Sequence, residues 1–337
     1  MKALSIKDIA KQANVSITTV SFIMNGKAEK MRISQDMITK VEKIIKDVGF
    51  RPNQVARSLR TGCTKTIALI VEDISNPFFA AIARLIEDKA HKYGYKIIYS
   101  STEHKLEKAR GLIRMFKSRQ VDGYIIAPMP GMEEDLKALL EDRVPLVLFD
   151  RSLPGLEASC VLVNNIQATY NATTYLVQKG KRNIAFITVD METDQIGDRY
   201  KGYVKALKAS DIDINEQWCK IIPFTSTPEE TTAELVSFFK ANPEVDAVLF
   251  ATNYLAVRGL FSFREIRKQI GKDFMVVAYD DQDLFRLFTP AITVVHQPVE
   301  DIAEQAISLL LKSMSAVDSH EEQDVSQVML SATLIER

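Results

Sequence analysis

The chain has 337 residues, 46% of them apolar and 26% charged, and a formal net charge of −1. That length exceeds one compact core and suits two or three domains, and the composition is that of an ordinary globular protein, neither disordered nor of low complexity. No apolar run approaches the roughly 18 residues of a membrane-crossing helix. The opening residues MKALSIKDIAKQANVS lack the apolar core and small-residue cleavage site of a signal peptide, so a cytoplasmic protein without a membrane partner is expected. Cys63, Cys160 and Cys219 form no CxxC pair and no zinc-type cluster and read as isolated reduced thiols. The four histidines, His91, His104, His296 and His320, show no metal-ligand spacing. No GxSxG, HExxH, Walker loop or GxGxxG is present, so neither an enzyme nor a cofactor is expected.

The small net charge hides an asymmetry. Residues 1–65 carry 13 Lys/Arg against 5 Asp/Glu, a net +8, and the remainder carries 30 against 39, a net −9. A basic head on an acidic body suggests that the head alone meets a polyanion.

In chain order, residues 5–14 read as a short amphipathic helix capped by Ser5, with Ile6, Ile9, Ala10 and Ala13 on one face. Asn14-Val15 makes a tight break, Asn being suited to a left-handed position. Ser16 caps a second helix whose inner stripe is Val20, Ile23 and Met24, and Asn25-Gly26 stops it. Ser34 caps a third helix running to Val48, ended by Gly49. Arg51-Pro52-Asn53 marks a boundary, because proline disfavours helix in the residue before it. The following NQVARSLRTG has room for about two turns of helix, too short to be stable alone.

From Thr66 apolar runs alternate with amphipathic helices. The runs are TIALIV, YKIIYS, DGYIIAP, PLVLFD, NIAFITV, DAVLFAT and FMVVAYD. Helices are predicted near residues 77–93, 105–118, 132–142, 168–179, 197–209, 228–240 and 254–268, and Trp218 on a strand. Continuous apolar strands joined through helices indicate parallel sheets covered on both faces. A break near 151–163 divides them into two doubly wound subdomains. Ligands of such sheets lie beyond the carboxyl ends of the strands, here in a cleft between the subdomains. The predicted organisation is therefore α/β: a three-helix head at 1–51, a linker with room for a short helix at 52–65, and a body of two doubly wound subdomains at 66–337, which the motifs and the resemblance below read as a DNA-binding head, a hinge helix and an effector-binding and dimerisation domain.

IKDIAKQANVSITTVSFIMNG matches a helix-turn-helix in length, turn position and apolar stripe. In that unit the second helix enters the major groove with its first residues on base edges. Ser16, Ile17, Thr18 and Ser21 lie on its exposed N-terminal part, and Asn25 closes it. The same three helices would also suit a protein-interaction module.

These residues, with RPNQVARSLRTG, TKTIALIVEDISNPFFAAIARLIEDKAHKYGY, VDGYIIAP, VVAYDD and TVVHQP, resemble the lactose-repressor family of bacterial regulators along essentially the whole chain. The resemblance implies a homodimer on a near-palindromic operator and a core like that of periplasmic binding proteins. It implies that NQVARSLR folds as a hinge helix on DNA and that Leu59, beside Val55 and Ala56, wedges a central base step open in the minor groove, costing about a few kcal/mol of unstacking. Arg57 and Arg60 then serve phosphates. Family members often carry arginine where this chain has Phe22. A phenyl ring cannot fork onto guanine, so it either touches a thymine methyl or packs internally. The long connection GKAEKMRIS brings Lys27, Lys30 and Arg32 near the DNA backbone.

By the same resemblance the effector site comprises Ser75, Phe79, His104, Asp150, Arg199, Asn253, Asp280 and Gln297. Carboxylates accepting from hydroxyls and a guanidinium donating in a fork suit a polyhydroxylated ligand. A sugar or sugar derivative is favoured, followed by a purine-like molecule or a protein cofactor. Tyr254 stands where the family commonly has aspartate, and Asn164-Asn165 replaces the usual Asp-Asn pair near the crossover. The alternative is a sugar-binding receptor with no transcriptional role, against which the basic head and absent signal peptide argue.

Overall fold

The computed structural model describes residues 5–50, 58, 62–191, 193–271, 274–319, 321 and 324–337. The chain divides into two compact units, Met1–Thr64 and Lys65–Arg337. In the first, α1 (Ile6–Ala13), α2 (Ile17–Met24) and α3 (Gln35–Asp47) enclose a small core of Ile9, Ala10, Ala13, Val20, Ile23, Ala28 and Val41. Asp8 accepts from the Ser5 N–H at 2.8 Å and from its hydroxyl at 2.7 Å, closing the first turn of α1. Asn14, at φ 58° and ψ 48°, turns the chain into α2, where the Ser16 hydroxyl accepts from the Thr19 N–H at 3.0 Å. Both features are those the sequence predicts. Ala28, from the long connection after α2, is itself part of the core.

The second unit holds two sheets. β1 (Thr66–Val71), β2 (Lys96–Ser101), β3 (Gly123–Ile126), β4 (Leu146–Phe149) and β5 (Ser159–Val163) alternate with α4 (Pro77–Lys92), α5 (Leu106–Ser118) and α6 (Glu133–Glu141). The chain then builds α7 (Asn165–Gln178), β6 (Ile184–Val189), α8 (Asp194–Ala209), β7 (Cys219–Ile222), α9 (Pro228–Ala241), β8 (Ala247–Phe250), α10 (Asn253–Glu265), β9 (Met275–Tyr279), α11 (Asp283–Arg286) and β10 (Thr293–His296). It ends with α12 (Val299–Ser319), β11 (Gln327–Leu330) and β12 (Thr333–Ile335). The sheet orders are β11-β5-β4-β3-β1-β2 and β12-β10-β9-β8-β6-β7, and every pairing is parallel except β10 with β12. Strands such as β3, β4, β6 and β8 are buried along their whole length, as parallel strands covered on both faces must be.

Helix starts are set by side chains. The Asn76 side chain accepts from the Phe78 N–H, with Pro77 opening α4. Asn164 caps α7 through the Gln167 N–H, and Thr227 and Glu230 exchange bonds around Pro228 at the start of α9. Gly202 lets α8 close on α7, since a Cβ there would lie 2.3 Å from the Ile166 carbonyl oxygen.

The chain passes between the two sheets at residues 164, 297–298 and 331–332. The predicted break at 151–163 is therefore placed too early, because β5 pairs with β4 and β11 in the first sheet. Five strands (β5, β7, β10, β11 and β12) and the long α12 were not among the predicted elements. The strands are three to five residues long, and neither β11 nor β12 has a fully buried residue. Trp218 lies in a 3-10 turn before β7, half-buried, with its indole N–H donating to Glu244 at 3.0 Å. None of the described helices is long and apolar enough to cross a membrane.

Candidate functional site

In the head, Ile17 and Thr18 are exposed at the N-terminal end of α2, while Ser16 is exposed but spends its hydroxyl on capping. Ser21 and Asn25 follow along the same helix, where the Asn25 amide donates to the Ser21 carbonyl at 2.7 Å and to its hydroxyl at 3.3 Å. Phe22 is half-buried and absent from the head's hydrophobic cluster. Arg32 is exposed at a left-handed position, φ 54°, near exposed Lys27 and Lys30. Free N–H groups and the helix dipole make the start of α2 suited to a phosphate. Val55, Ala56, Arg57 and Leu59 lie outside the described residues.

In the second unit the carboxyl ends of both sheets converge on one cavity of about 40 Å³. Phe79, Asp150, Arg199, Asp280 and Gln297, all named from the sequence, line it together. Ser75 and Asn253 line an adjoining recess of about 380 Å³. His104 is outside the inner cavity, its ring 5.0 Å from that of Phe224 across the subdomains. Its Nδ1 is buried without a hydrogen-bond partner, and burial pushes its pKa down, with Glu72 and Asp190 opposing.

Asp150 and Asp280 occupy matching places, each directly after the fourth strand of its sheet. Both are left-handed, at φ 68° and 65°, and each donates its N–H to the adjacent strand. This unusual backbone holds both carboxylates in the cavity wall. Asp280 accepts from the Gln297 amide at 2.7 Å. Its burial raises its pKa, with Arg199 and Gln297 partly opposing. Arg199 donates to Asn165 at 3.0 Å and to the Ala251 carbonyl at 2.6 Å, and its guanidinium lies 3.6 Å from the centroid of the Tyr279 ring. The Tyr279 hydroxyl also donates to Asn165, and burial pushes its pKa up to about 12.

The sequence reading missed the centre of the cavity. Arg151, 5% exposed, donates to Glu72 at 2.8 Å and to Asp150 at 3.1 Å. Burial opposes its charge, but Asp150 and Glu72 outweigh that and raise its pKa. Once its amide is oriented to suit its neighbours, the Gln195 oxygen accepts from Arg151 Nε at 2.9 Å and Nη2 at 3.2 Å. Glu72 and Arg151 sit one and two residues past strand ends, so strand-end position alone pointed to them. Gln195, also in the wall, begins a helix and carries no such signal, while Tyr254 in the same wall is the residue that stands where the family commonly has aspartate. Further contacts bridge the subdomains: Asn253 donates to Asn76 at 2.8 Å and Ser152 to Asp194 at 3.3 Å. No cluster of metal-ligating side chains occurs among the described residues.

Residues 5–53 match the family "Bacterial regulatory proteins, lacI family", and residues 173–337 match "Periplasmic binding protein-like domain". The chain is 34% identical to the HTH-type transcriptional regulator RegA of Clostridium saccharobutylicum, over 99% of this chain and 98% of that protein. It is 32% identical to the HTH-type transcriptional repressor PurR of Erwinia tasmaniensis (strain DSM 17950 / CFBP 7177 / CIP 109463 / NCPPB 4357 / Et1/99), over 99% and 96%. Among solved structures, the lac repressor dimer bound to operator and the anti-inducer ONPF superposes with a TM-score of 0.84 at 20% identity, covering 100% of this chain and 98% of that one. The transcriptional regulator CelR–cellobiose complex gives 0.70 at 25% identity, covering 99% of each. Head, two-subdomain core and full-length similarity agree: the chain belongs to the lacI family of bacterial transcription regulators.

Proposed function

We propose that this chain is a homodimeric regulator whose grip on a near-palindromic operator is set by a neutral polyhydroxylated effector, a sugar or sugar derivative, held between the two subdomains. The observation that carries this reading is the convergence of Asp150, Arg199, Asp280 and Gln297, from both subdomains, on one buried cavity. The cellobiose complex of a 25% identical regulator supports the sugar class. DNA contact falls to Ser16, Ile17, Thr18, Ser21, Phe22, Asn25 and Arg32 of the head, with Val55, Ala56, Arg57 and Leu59 in the hinge. Ser75 and Asn253 line the recess beside the cavity, and His104 meets Phe224 of the other subdomain. A cavity of about 40 Å³ holds little more than a water or two, so the cleft opens to admit the effector. Effector changes DNA affinity only through its different affinity for the two arrangements, and operator changes effector affinity by the same factor.

A thermal-stability screen of mono- and disaccharides and nucleobases identifies the effector, since a molecule that prefers the native state raises the melting temperature. Arg199→Ala and Asp280→Ala are then each expected to abolish the effector response. Operator affinity without effector stays within about tenfold, or about 1.4 kcal/mol. Effector titration by calorimetry, paired with operator binding, decides the matter. Unchanged effector affinity in both variants would place the site elsewhere.

A further inference from the structure

Arg151 does inside the protein what a ligand does in a binding cleft. It is 5% exposed, and Glu72 and Asp150, its two carboxylate partners, are each 8% exposed. Glu72 and Asp150 belong to the first subdomain, and Gln195, its third partner, opens a helix of the second. One planar, five-donor group thus ties both halves together. The space left beside it is about 40 Å³.

The charges of the cavity wall sharpen the point. Among the described residues that line the cavity, the carboxylates Glu72, Asp150 and Asp280 face the cations Arg151 and Arg199. Arg151 is committed to the two carboxylates, and Arg199 to Asn165, the Ala251 carbonyl and the Tyr279 ring. A phosphate or carboxylate entering here would meet carboxylates and two guanidiniums already engaged. A molecule enters either by leaving the Arg151 bridge in place and offering only neutral hydrogen-bonding groups, or by standing in for the guanidinium.

We propose that Arg151 is an internal ligand and the specificity-determining residue of the cleft: its guanidinium, seated between Glu72 and Asp150 and reaching Gln195, closes the cleft with nothing bound and excludes anionic effectors. The closure is independent of effector identity. The exclusion rests on the reading of this cleft as the effector site.

The test uses the full chain, without effector or DNA, and methylguanidinium chloride as probe. In Arg151→Ala, amide hydrogen exchange at residues 72–76 and 193–199 is expected to accelerate by at least about tenfold, while residues 5–50 exchange as in the parent. Millimolar methylguanidinium should restore protection and melting temperature saturably in the variant and leave the parent unchanged. Tetramethylammonium chloride at equal concentration should restore neither protection nor melting temperature in the variant. Arg151→Lys keeps the charge but cannot fork onto both carboxylates and Gln195, so it should fold and show intermediate exchange even where the alanine variant does not fold. Parent-like exchange in Arg151→Lys, or rescue no better with methylguanidinium than with tetramethylammonium, overturns the closure. Separately, binding of a sugar phosphate to the parent at this cavity overturns the exclusion. Failure of the rescue leaves the effector assignment standing, and failure of a sugar screen leaves the rescue result standing.

Discussion

The two subdomains solve the same problem with different chemistry. Each ends its fourth strand in a left-handed aspartate aimed at the cavity. In the first subdomain the next residue is Arg151, which turns inward and pairs with Asp150 and Glu72. In the second the next residue is Asp281, which instead pairs with Arg286 and Arg337. Asp280 is left to the neutral Gln297 amide and to the more distant charge of Arg199. One wall is held by ion pairs in low dielectric. The other is held by hydrogen bonds from Arg199 and to Asp280 whose partners are neutral, and by a stacked ring. The first arrangement is costly to break and hard to adapt, and the second can exchange partners with an incoming hydroxyl at little cost.

The largest expected effect comes from breaking the first wall. Arg151→Met leaves two buried carboxylates without their cation and should lower stability by about 3–5 kcal/mol, read from urea unfolding at neutral pH. Adding Glu72→Gln and Asp150→Asn to that variant should return most of the loss. If the triple variant is no more stable than Arg151→Met, the charge account of this wall is wrong.

Arg199→Met tests the second wall. Its partners are an amide oxygen, a carbonyl and a ring, and Asn165 keeps the Tyr279 hydroxyl. The loss should be smaller, about 1–3 kcal/mol. An effect equal to that of Arg151→Met would erase the contrast.

The smallest effect is one of sign. Burial raises the Asp280 pKa in the folded state. Its stabilising share is therefore full below the unfolded value of about 3.9 and is lost as pH rises through the raised folded value. Asp281 is the reverse: burial works against its charge, but Arg337 and Arg286 prevail and lower its pKa. Its share is present above the unfolded value and is lost as pH falls through the folded one. Asp280→Asn should accordingly gain on the parent as pH rises from about 4 toward 7, whereas Asp281→Asn should lose on the parent at lower pH, as it rises from about 2 toward 4. Parallel pH profiles for the two variants would remove the distinction.

Much of this was legible in the sequence because it is local. The left-handed Asn14, the Ser16 cap and the apolar stripes of the head each depend on residues within a turn of one another. Asp150, Arg199, Asp280 and Gln297 were named position by position through the family resemblance, not from the strand pattern. Arg151 was not, because what defines it is a pairing with Glu72, 79 positions away. Gln195 meets it only through the packing of α8 against the other subdomain. The early placement of the break has a similar origin: SCVLV is too short to declare a strand until β11, far along the chain, pairs with it.

The three passages between the sheets bear on how the protein emerges from the ribosome. α12 packs against α4 and on β3, β4 and β5, and β11 lies beside β5. The first five strands therefore lack a covering helix and an edge until residues 299–330 have been made. β6 to β10 are complete earlier, needing only β12 at their margin. The subdomain translated first is thus finished only after most of the second has been synthesised. Its apolar face around Ile125, Val147 and Val161 stays uncovered by α12 through the synthesis of more than a hundred residues, an interval in which a nascent chain is exposed to aggregation.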